Sequence, residues 1–262
     1  MNAEGMITDT VIHLSRGYWY EHGAPGVQKD LKKAFEEYSE SAAKGNAKAQ
    51  FALGYMYDKG RYVRPDTAKA FEWYLKAAEG GYHIAQCYCG DMYLTGEGVE
   101  QNLQEAFEWL SKANGQGDIG ARFSLANIYE QGVPGVQKDL PEAFEMYLSA
   151  DAENYGRAQT YLKHVRDNGN AEAQFHLGIA YENRGRLEDA FELYLKSAKK
   201  GYVDAQFKLG QILDGSDWNF NPHLITHVSP NLLSEAGSSL EWYEKGAEQW
   251  DSRCIVALEM RL

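Results

Sequence analysis

The sequence predicts an all-α protein, an α-solenoid of helix-turn-helix repeats. A motif of a small residue, an apolar residue and glutamate recurs six times, and each copy follows a segment with apolar side chains at helical spacing. Successive copies are 36, 36, 37, 47 and 49 residues apart, and the first three intervals fit the period of about 34–40 residues expected of stacked helical hairpins. The copies start at Ala34, Ala70, Ala106, Ala143, Ala190 and Ser239.

The first helix of each unit is clearest at residues 47–57, where Ala49, Leu53 and Tyr57 form one packing stripe. A small residue recurs within each predicted first helix. Glycine there costs about 1 kcal/mol of helix propensity, but it lets a neighbouring helix approach closely. We therefore predict close helix contacts at Gly17, Gly54, Gly90, Ala126, Gly178 and Gly210.

A loop rich in glycine and valine joins the two helices of a unit, and its sequence at residues 25–31 returns unchanged at 134–140. Three loops end in an aspartate, at Asp30, Asp66 and Asp139. A carboxylate in this place accepts hydrogen bonds from the free N–H groups of the next helix. We predict that these aspartates are N-caps rather than binding residues.

The second helix of each unit carries aromatic residues followed by small ones. Burying a tryptophan and a tyrosine per unit stabilises the fold by several kcal/mol at roughly 25 cal/mol per Å². Trp73, Trp109 and Trp242 are therefore predicted to lie in the core.

Two irregularities interrupt the array. Residues 155–170 form a predicted first helix that another first helix follows at once, so its partner helix is missing or merged. Residues 216–237 form a long insert, and long loops in a compact array are usually functional or disordered. Because a repeat array grows by adding units, residues 1–262 are predicted to form a single domain.

Charge and hydropathy narrow the range of partners. A net charge of -12 argues against nucleic acid and would attract a cationic protein, although acidity also serves solubility alone. No apolar stretch is long enough to cross a bilayer, and residues 1–17 lack the pattern of a secretory signal. We expect a cytoplasmic protein without membrane insertion.

The sequence offers little for catalysis or metal binding. His223 and His227 are four residues apart, but no cysteine or acid accompanies them at a fixed spacing. Cys87, Cys89 and Cys254 match neither a redox nor a zinc pattern, and Cys89 stands where other units have a core leucine, which predicts a buried, inert thiol. With no phosphate loop, serine elbow or His-Glu-x-x-His stretch, we predict no catalytic residue, no metal and no cofactor.

Residues 47–81 combine Ala-x-Ala-Gln, Leu-Gly, an aspartate-containing loop, Lys-Ala-Phe-Glu-Trp-Tyr and Lys-Ala-Ala before glycine. This combination resembles the Sel1-like repeat (SLR) family, a relative of the tetratricopeptide repeats, over residues 7–250. The resemblance implies a right-handed superhelix whose concave wall is formed by the first helices. It also implies a role as an adaptor or scaffold in protein complexes, in bacteria often in signalling or in contact with a host or competitor.

If the first helices line a concave wall, four positions of each helix face a partner. Counted from the second alanine of the Ala-x-Ala-Gln motif, they are the residue one before it and the residues two, six and nine after it. An aromatic residue recurs there with acids beside it, which suits an extended or helical peptide with basic residues. The same aromatic could instead fill the junction between adjacent first helices, and its exposure decides between the two hypotheses. The predicted binding residues are Tyr18, Lys48, Phe51, Tyr55, Asp58, Ile84, Asp91, Phe123, Asn127, Glu130, Phe175, Ile179, Phe207 and Gln211.

The leading hypothesis is a non-enzymatic, bacterial interaction module that binds another protein or peptide, a basic one in particular, on its concave face. A narrower alternative is an immunity protein whose acidic array neutralises a basic toxin or effector. A third, from a different class, is a hydrolase or ligand-binding activity in the groove or the insert. The sequence names neither the partner nor the oligomeric state.

Overall fold

The computed structural model describes residues 3–153, 156–216 and 228–260, with the backbone alone for residues 3–8. The described residues form α-helices joined by short loops, and two isolated β-bridges, Ala24–Val27 and Val133–Val136, lie in the loops of repeated sequence. The predicted all-α class of helical-hairpin repeats is confirmed. Within this part of the chain, none of the helices has the length and apolar character needed to span a bilayer.

The chain divides into two compact units, Met1–Lys138 (unit 1) and Asp139–Leu262 (unit 2). A single array over residues 1–262 would require the two units to continue one another, and that stays a prediction.

Unit 1 consists of consecutive hairpins in which the second helix of one packs on the first helix of the next. The hairpins are α1/α2, α3/α4 and α5/α6, and α7 packs on α6. The helices are α1 (Ala3–His22), α2 (Leu31–Ala43), α3 (Ala47–Asp58), α4 (Thr67–Glu79), α5 (His83–Thr95), α6 (Leu103–Gly115) and α7 (Ile119–Gln131).

Unit 2 contains the hairpins α10/α11 and α12/α14, and α9 packs on both α8 and α10. The predicted irregularity is confirmed, because α10 follows α9 directly with no second helix between them. A short helix, α13, lies within the predicted insert, and α15 follows the last predicted repeat. The helices are α8 (Leu140–Ala152), α9 (Gly156–Asn168), α10 (Ala171–Asn183), α11 (Leu187–Lys199), α12 (Val203–Asp214), α13 (Pro230–Ala236), α14 (Ser239–Glu248) and α15 (Ser252–Glu259).

The three predicted N-caps are confirmed. The Asp30 carboxylate accepts from the backbone N–H groups of Lys32 and Lys33 at 3.1 Å, and Asp66 and Asp139 accept in the same way at 2.9 and 3.0 Å. The hydrogen bond from the Lys69 backbone lowers the pKa of Asp66 below its ordinary value. These carboxylates therefore fix where each second helix begins.

The predicted close contacts are present at the five glycines, Gly17, Gly54, Gly90, Gly178 and Gly210, and each joins the two helices of one hairpin, while the contact at Ala126 stays a prediction. A Cβ atom added to Gly54 would lie 2.6 Å from the ring of Tyr74, and one added to Gly17 would lie 2.5 Å from the ring of Tyr38. At Gly90 the facing side chain is Leu110, again at 2.5 Å. Glycine is retained there because a larger side chain would push the hairpin apart.

The glutamine of the Ala-x-Ala-Gln motif links each hairpin to the one before it. The side-chain amide of Gln50 donates to the Ala42 carbonyl at 3.3 Å, and Gln86 donates to the Ala78 carbonyl at 3.2 Å. Gln206 does the same to Ala198 at 3.3 Å. Each of these carbonyls lies in the last turn of a helix and also accepts a backbone N–H, from Gly45, Gly81 and Gly201 respectively, so the glutamine amide is a second donor to it.

The prediction for the tryptophans is right for Trp242 and wrong for Trp73 and Trp109. Trp242 is buried, but Trp73 and Trp109 are only half-buried, and lysine Nζ atoms lie 4.3 and 4.1 Å from their ring centroids. The core positions belong to the next residue in each helix, Tyr74 and Leu110. One residue turns a helix by about 100°, which carries the tryptophan to the edge of the buried face.

Candidate functional site

A groove crosses the first helices at the start of unit 1. It has a volume of about 670 Å³ and is lined by Tyr18, Trp19, Lys48, Phe51, Tyr55 and Arg61, among others. We call it the N-terminal groove. It unites four of the predicted binding residues, Tyr18, Lys48, Phe51 and Tyr55, while Trp19 and Arg61 were not predicted.

The walls of the N-terminal groove are aromatic and partly open to solvent. Tyr18 is 56% exposed and Trp19 is 47% exposed, and the Tyr18 ring stacks on His22 with 4.2 Å between centroids. Tyr55 is half-buried, and Lys59 Nζ and Arg61 Cζ each lie 6.0 Å from its ring centroid. Exposed aromatic side chains that meet in a concavity are typical of binding sites for apolar groups.

Phe51 is held rigidly in the groove wall. Its ring centroid lies 5.2 Å from that of Tyr74 and 5.3 Å from those of Tyr82 and Tyr88. Tyr82 and Tyr88 belong to the next hairpin, so Phe51 fills the junction between neighbouring first helices, as the alternative hypothesis held. It also lines the groove, and the two roles coexist in this residue.

A buried acid stands beside the groove. Glu21 accepts a hydrogen bond from the Tyr38 hydroxyl at 2.6 Å and pairs with Arg61 at 2.5 Å. Burial, then the bond to Glu21, raises the pKa of Tyr38 above its ordinary value, so the hydroxyl keeps its proton. Glu21 occupies the position in the first unit that Asp58 occupies in the second. The repeat register that predicted Asp58 could therefore have predicted Glu21 as well.

Beside this groove lies a smaller depression of about 220 Å³, the acidic recess, lined by Asp58, Lys59, Tyr74, Tyr88, Asp91 and Glu97, among others. Two predicted residues, Asp58 and Asp91, meet there. Asp58 pairs with Lys59 at 2.8 Å, and Asp91 accepts from the Ser124 hydroxyl at 2.7 Å. The ring of Tyr88, which lines the recess, contacts that of Phe51, which lines the N-terminal groove.

A pair of tyrosine and acid recurs in the hairpins, although the repeat pattern did not predict it. The Tyr74 hydroxyl donates to Asp58 at 3.4 Å, and Tyr243 donates to Asp214 at 2.6 Å. The same bond joins Tyr194 to Glu182. The acids predicted to face a partner therefore also hold the tyrosine of their own hairpin.

Phe123 is a correction to the predicted binding set. It is only 6% exposed, so its ring is part of the core rather than of an open face. Asn127 donates to the Phe123 carbonyl at 3.1 Å, and Ile84 and Glu130 are half-buried. These four residues are not among those that line the two depressions of unit 1.

In unit 2, Phe207 and Gln211 line a depression of about 610 Å³ with Tyr243, Arg253, Val256 and Met260, among others. Arg253 Cζ lies 5.0 Å from the Phe207 ring centroid. Phe175 fills the junction between hairpins, with Tyr194 and Tyr202 at 5.6 and 5.2 Å, and Ile179 is half-buried.

The titratable groups of the described residues form no cluster of three or more His, Cys, Asp or Glu that could hold a metal ion. His223, His227 and most of the predicted insert lie outside the described residues. All three cysteines are buried free thiols, and burial raises the pKa of Cys89 to about 12 and that of Cys254 to about 11. The predicted burial of Cys89 is confirmed.

Six segments of the chain match the family model of the Sel1 repeat: residues 13–46, 47–82, 83–118, 120–150, 171–202 and 236–249. Together they make up more than half of the sequence. A comparison with curated proteins finds no match.

Solved structures of similar proteins include a Sel1 repeat protein from Oxalobacter formigenes. It is 30% identical with a TM-score of 0.54, and the alignment covers 95% of this chain and 91% of that one. A protective antigen present in uropathogenic Escherichia coli strains, displaying an SLR fold, is 28% identical with a TM-score of 0.53. The alignment covers 97% of this chain but 57% of that one, so this chain spans little more than half the length of the antigen.

An immunity protein from Pseudomonas aeruginosa is more distant. It is 18% identical with a TM-score of 0.36, and the alignment covers 94% of this chain and 83% of that one. A likeness of this degree carries no argument about function.

Proposed function

Because this chain belongs to the Sel1 repeat family, whose members typically mediate protein–protein interactions, we propose that it is an adaptor that binds a segment of another protein along the first helices of unit 1. An apolar or aromatic side chain of that segment enters the N-terminal groove. The observation that carries the proposal is the exposure of Tyr18 and Trp19 in the wall of a groove of about 670 Å³. Large aromatic side chains supply much of the binding energy where proteins meet.

The groove is preorganised for such an anchor. Phe51 is fixed by three neighbouring rings, and the Glu21 carboxylate holds both Tyr38 and Arg61. A partner therefore meets walls that are already ordered, and binding costs little side-chain entropy there.

The N-terminal groove and the acidic recess carry different charges, so a bound segment has a preferred orientation along them. Within the described residues Lys48 is exposed and forms no ion pair, while Glu21 and Arg61 neutralise each other. The acidic recess next to the groove holds Asp58, Asp91 and Glu97 against Lys59. We expect a basic side chain of the partner in the recess, and the net charge of -12 speeds the approach of such a partner.

The proposal is tested by placing a photo-crosslinking amino acid at position 18 or 55 of the full chain in cells of the source organism. Tyr62 is the matched control, because it is 51% exposed, aromatic and in the same unit, but does not line the groove. We expect adducts with one protein from positions 18 and 55 and none from position 62.

The captured protein is then purified and its affinity measured by calorimetry. Tyr18→Ala and Trp19→Ala should each weaken binding by about tenfold or more, whereas Tyr62→Ala should change it by less than about twofold. No adduct at positions 18 and 55, or equal affinity for all variants, contradicts the proposal.

A further inference from the structure

Trp250 is the most exposed large apolar side chain of the described residues. It is 88% exposed, and its ring contacts no other ring and no cation in this part of the chain. It lies two residues beyond the end of α14, between the cap residue Gln249 and Asp251. Packing within the described fold gives no reason for a tryptophan at this position.

The backbone conformation of Trp250 also gives no reason for a tryptophan at this position. Its φ is 63°, in the left-handed region that bulky residues avoid. Its N–H donates to the Ala247 carbonyl at 2.9 Å, as the N–H of Gly45 does to Ala42 and that of Gly201 does to Ala198. After α2, α4, α6 and α11 the equivalent residue is a glycine with positive φ, and these residues are Gly45, Gly81, Gly117 and Gly201.

Folding alone would therefore select glycine at position 250, since glycine adopts this conformation without strain. A strained residue that the fold does not need points to a function outside the fold.

The tryptophans within the second helices show which group covers an indole face in this protein. Lysine Nζ atoms lie 4.3, 4.1 and 4.2 Å from the ring centroids of Trp73, Trp109 and Trp242. Trp250 has no such cation among the described residues. Its ring can accept one from outside, because a cation is attracted to the negative face of an indole.

The charges next to Trp250 favour the same kind of ligand. Glu241, Glu244 and Glu248 are exposed, and none forms an ion pair within the described residues. Their spacing of three and four residues places them on one side of α14. Glu248, the last of them, is two residues before Trp250.

We infer that Trp250 anchors a second binding surface, in unit 2, which takes a basic segment of a partner protein. An arginine or lysine of that segment covers the indole ring, and further basic side chains meet the glutamates of α14. This surface is independent of the N-terminal groove and does not rest on the function proposed for it.

The test uses the full chain and fluorescein-labelled synthetic peptides of alternating arginine and alanine, with a glutamate and alanine peptide as the control. Binding is followed by fluorescence anisotropy at low and at physiological salt. We expect the arginine peptide to bind and the glutamate peptide to remain free. Trp250→Gly should weaken binding by about tenfold, while Trp250→Phe should weaken it by about threefold.

A control variant separates this surface from other effects. Tyr62→Gly relieves the other positive φ of a non-glycine residue within the described part of the chain, 71°, and should leave binding unchanged.

Trp250→Gly should melt at the same temperature as the native chain or higher, because glycine suits this backbone. The inference is overturned if Trp250→Gly binds the arginine peptide as tightly as the native chain. It is overturned equally if the two peptides bind alike, or if Trp250→Gly lowers the melting temperature, which would make the ring a structural one.

Discussion

The hairpins α1/α2 and α5/α6 pack different side chains against the glycine of their first helix. In α1/α2 the Tyr38 ring lies over Gly17, and its hydroxyl donates to the buried Glu21. In α5/α6 Leu110 lies over Gly90, and Leu94 stands at the position equivalent to Glu21.

The hairpin α5/α6 therefore has neither the tyrosine nor the acid. A buried hydroxyl without an acceptor is costly, whereas an apolar pair in place of both partners is nearly neutral. The tyrosine and the acid therefore form one structural element, whereas the glycine lies beneath a large side chain in either hairpin.

The greatest loss of stability is expected from substituting the glycine of the first helix, whose close contact both hairpins have. Gly17→Ala places a Cβ atom against the Tyr38 ring, which cannot withdraw without losing its bond to Glu21, and we expect a loss of about 2–3 kcal/mol. Gly90→Ala meets Leu110, which has no hydrogen bond to lose, and should cost about 1–2 kcal/mol. Urea denaturation measures both.

Gly115 is the matched control, because it lies in α6 with no atom within 4 Å of an added Cβ. Gly115→Ala should leave stability unchanged or slightly higher, since alanine favours the helix. If Gly17→Ala were as stable as Gly115→Ala, the close contact would not matter.

A double-mutant cycle tests the tyrosine–acid pair, which α1/α2 has and α5/α6 lacks. Tyr38→Leu or Glu21→Leu alone leaves a buried polar group short of a partner and should cost about 2 kcal/mol. The double variant copies the arrangement of α5/α6 and should cost about 1 kcal/mol less than the sum of the singles. Urea denaturation gives these values, and strict additivity would show that the two residues are not coupled.

The last effect concerns alkaline pH. Burial raises the pKa of Cys89 in α5 from 9.0 to about 12, so the unfolded chain loses this proton first as the pH rises. The contribution of the thiol to stability is complete below pH 9 and should be lost progressively as the pH rises from 9 towards 12.

Urea midpoints measured from pH 8 to pH 11 should therefore fall less steeply for Cys89→Ala than for the native chain. Tyr38→Phe gives the matching test in α1/α2, where the loss begins only near pH 10, the ordinary value for tyrosine. Parallel curves for Cys89→Ala and the native chain would contradict the buried neutral thiol.

Local signals allowed much of unit 1 to be predicted. The glycines of the first helices and the aspartates before the second helices act through neighbours close in sequence or within one hairpin. Their roles at Gly54 and Asp66 therefore follow from spacing alone. Tyr18, Lys48, Phe51 and Tyr55, which the repeat register placed on one wall, line the same groove, and their role in binding stays a prediction.

Exposure could not be predicted in the same way. Phe51 and Phe123 occupy the same position of the motif, yet Phe51 lines a groove and Phe123 is buried. The position within a helix fixes the direction of a side chain, whereas its exposure depends on residues of other helices. The predictions for Trp73 and Trp109 failed for a related reason, because the sequence identifies two adjacent large apolar side chains but not which of them faces the core.

Where this chain can be shortened follows from the glutamine amides. A fragment cut at Gly81 retains the whole of α4 and the Gly81 N–H bond to the Ala78 carbonyl, but it loses the second donor to that carbonyl, the Gln86 amide. A fragment that ends with one further helix, α5, keeps both bonds. In unit 2, α15 stands in that closing place after α14.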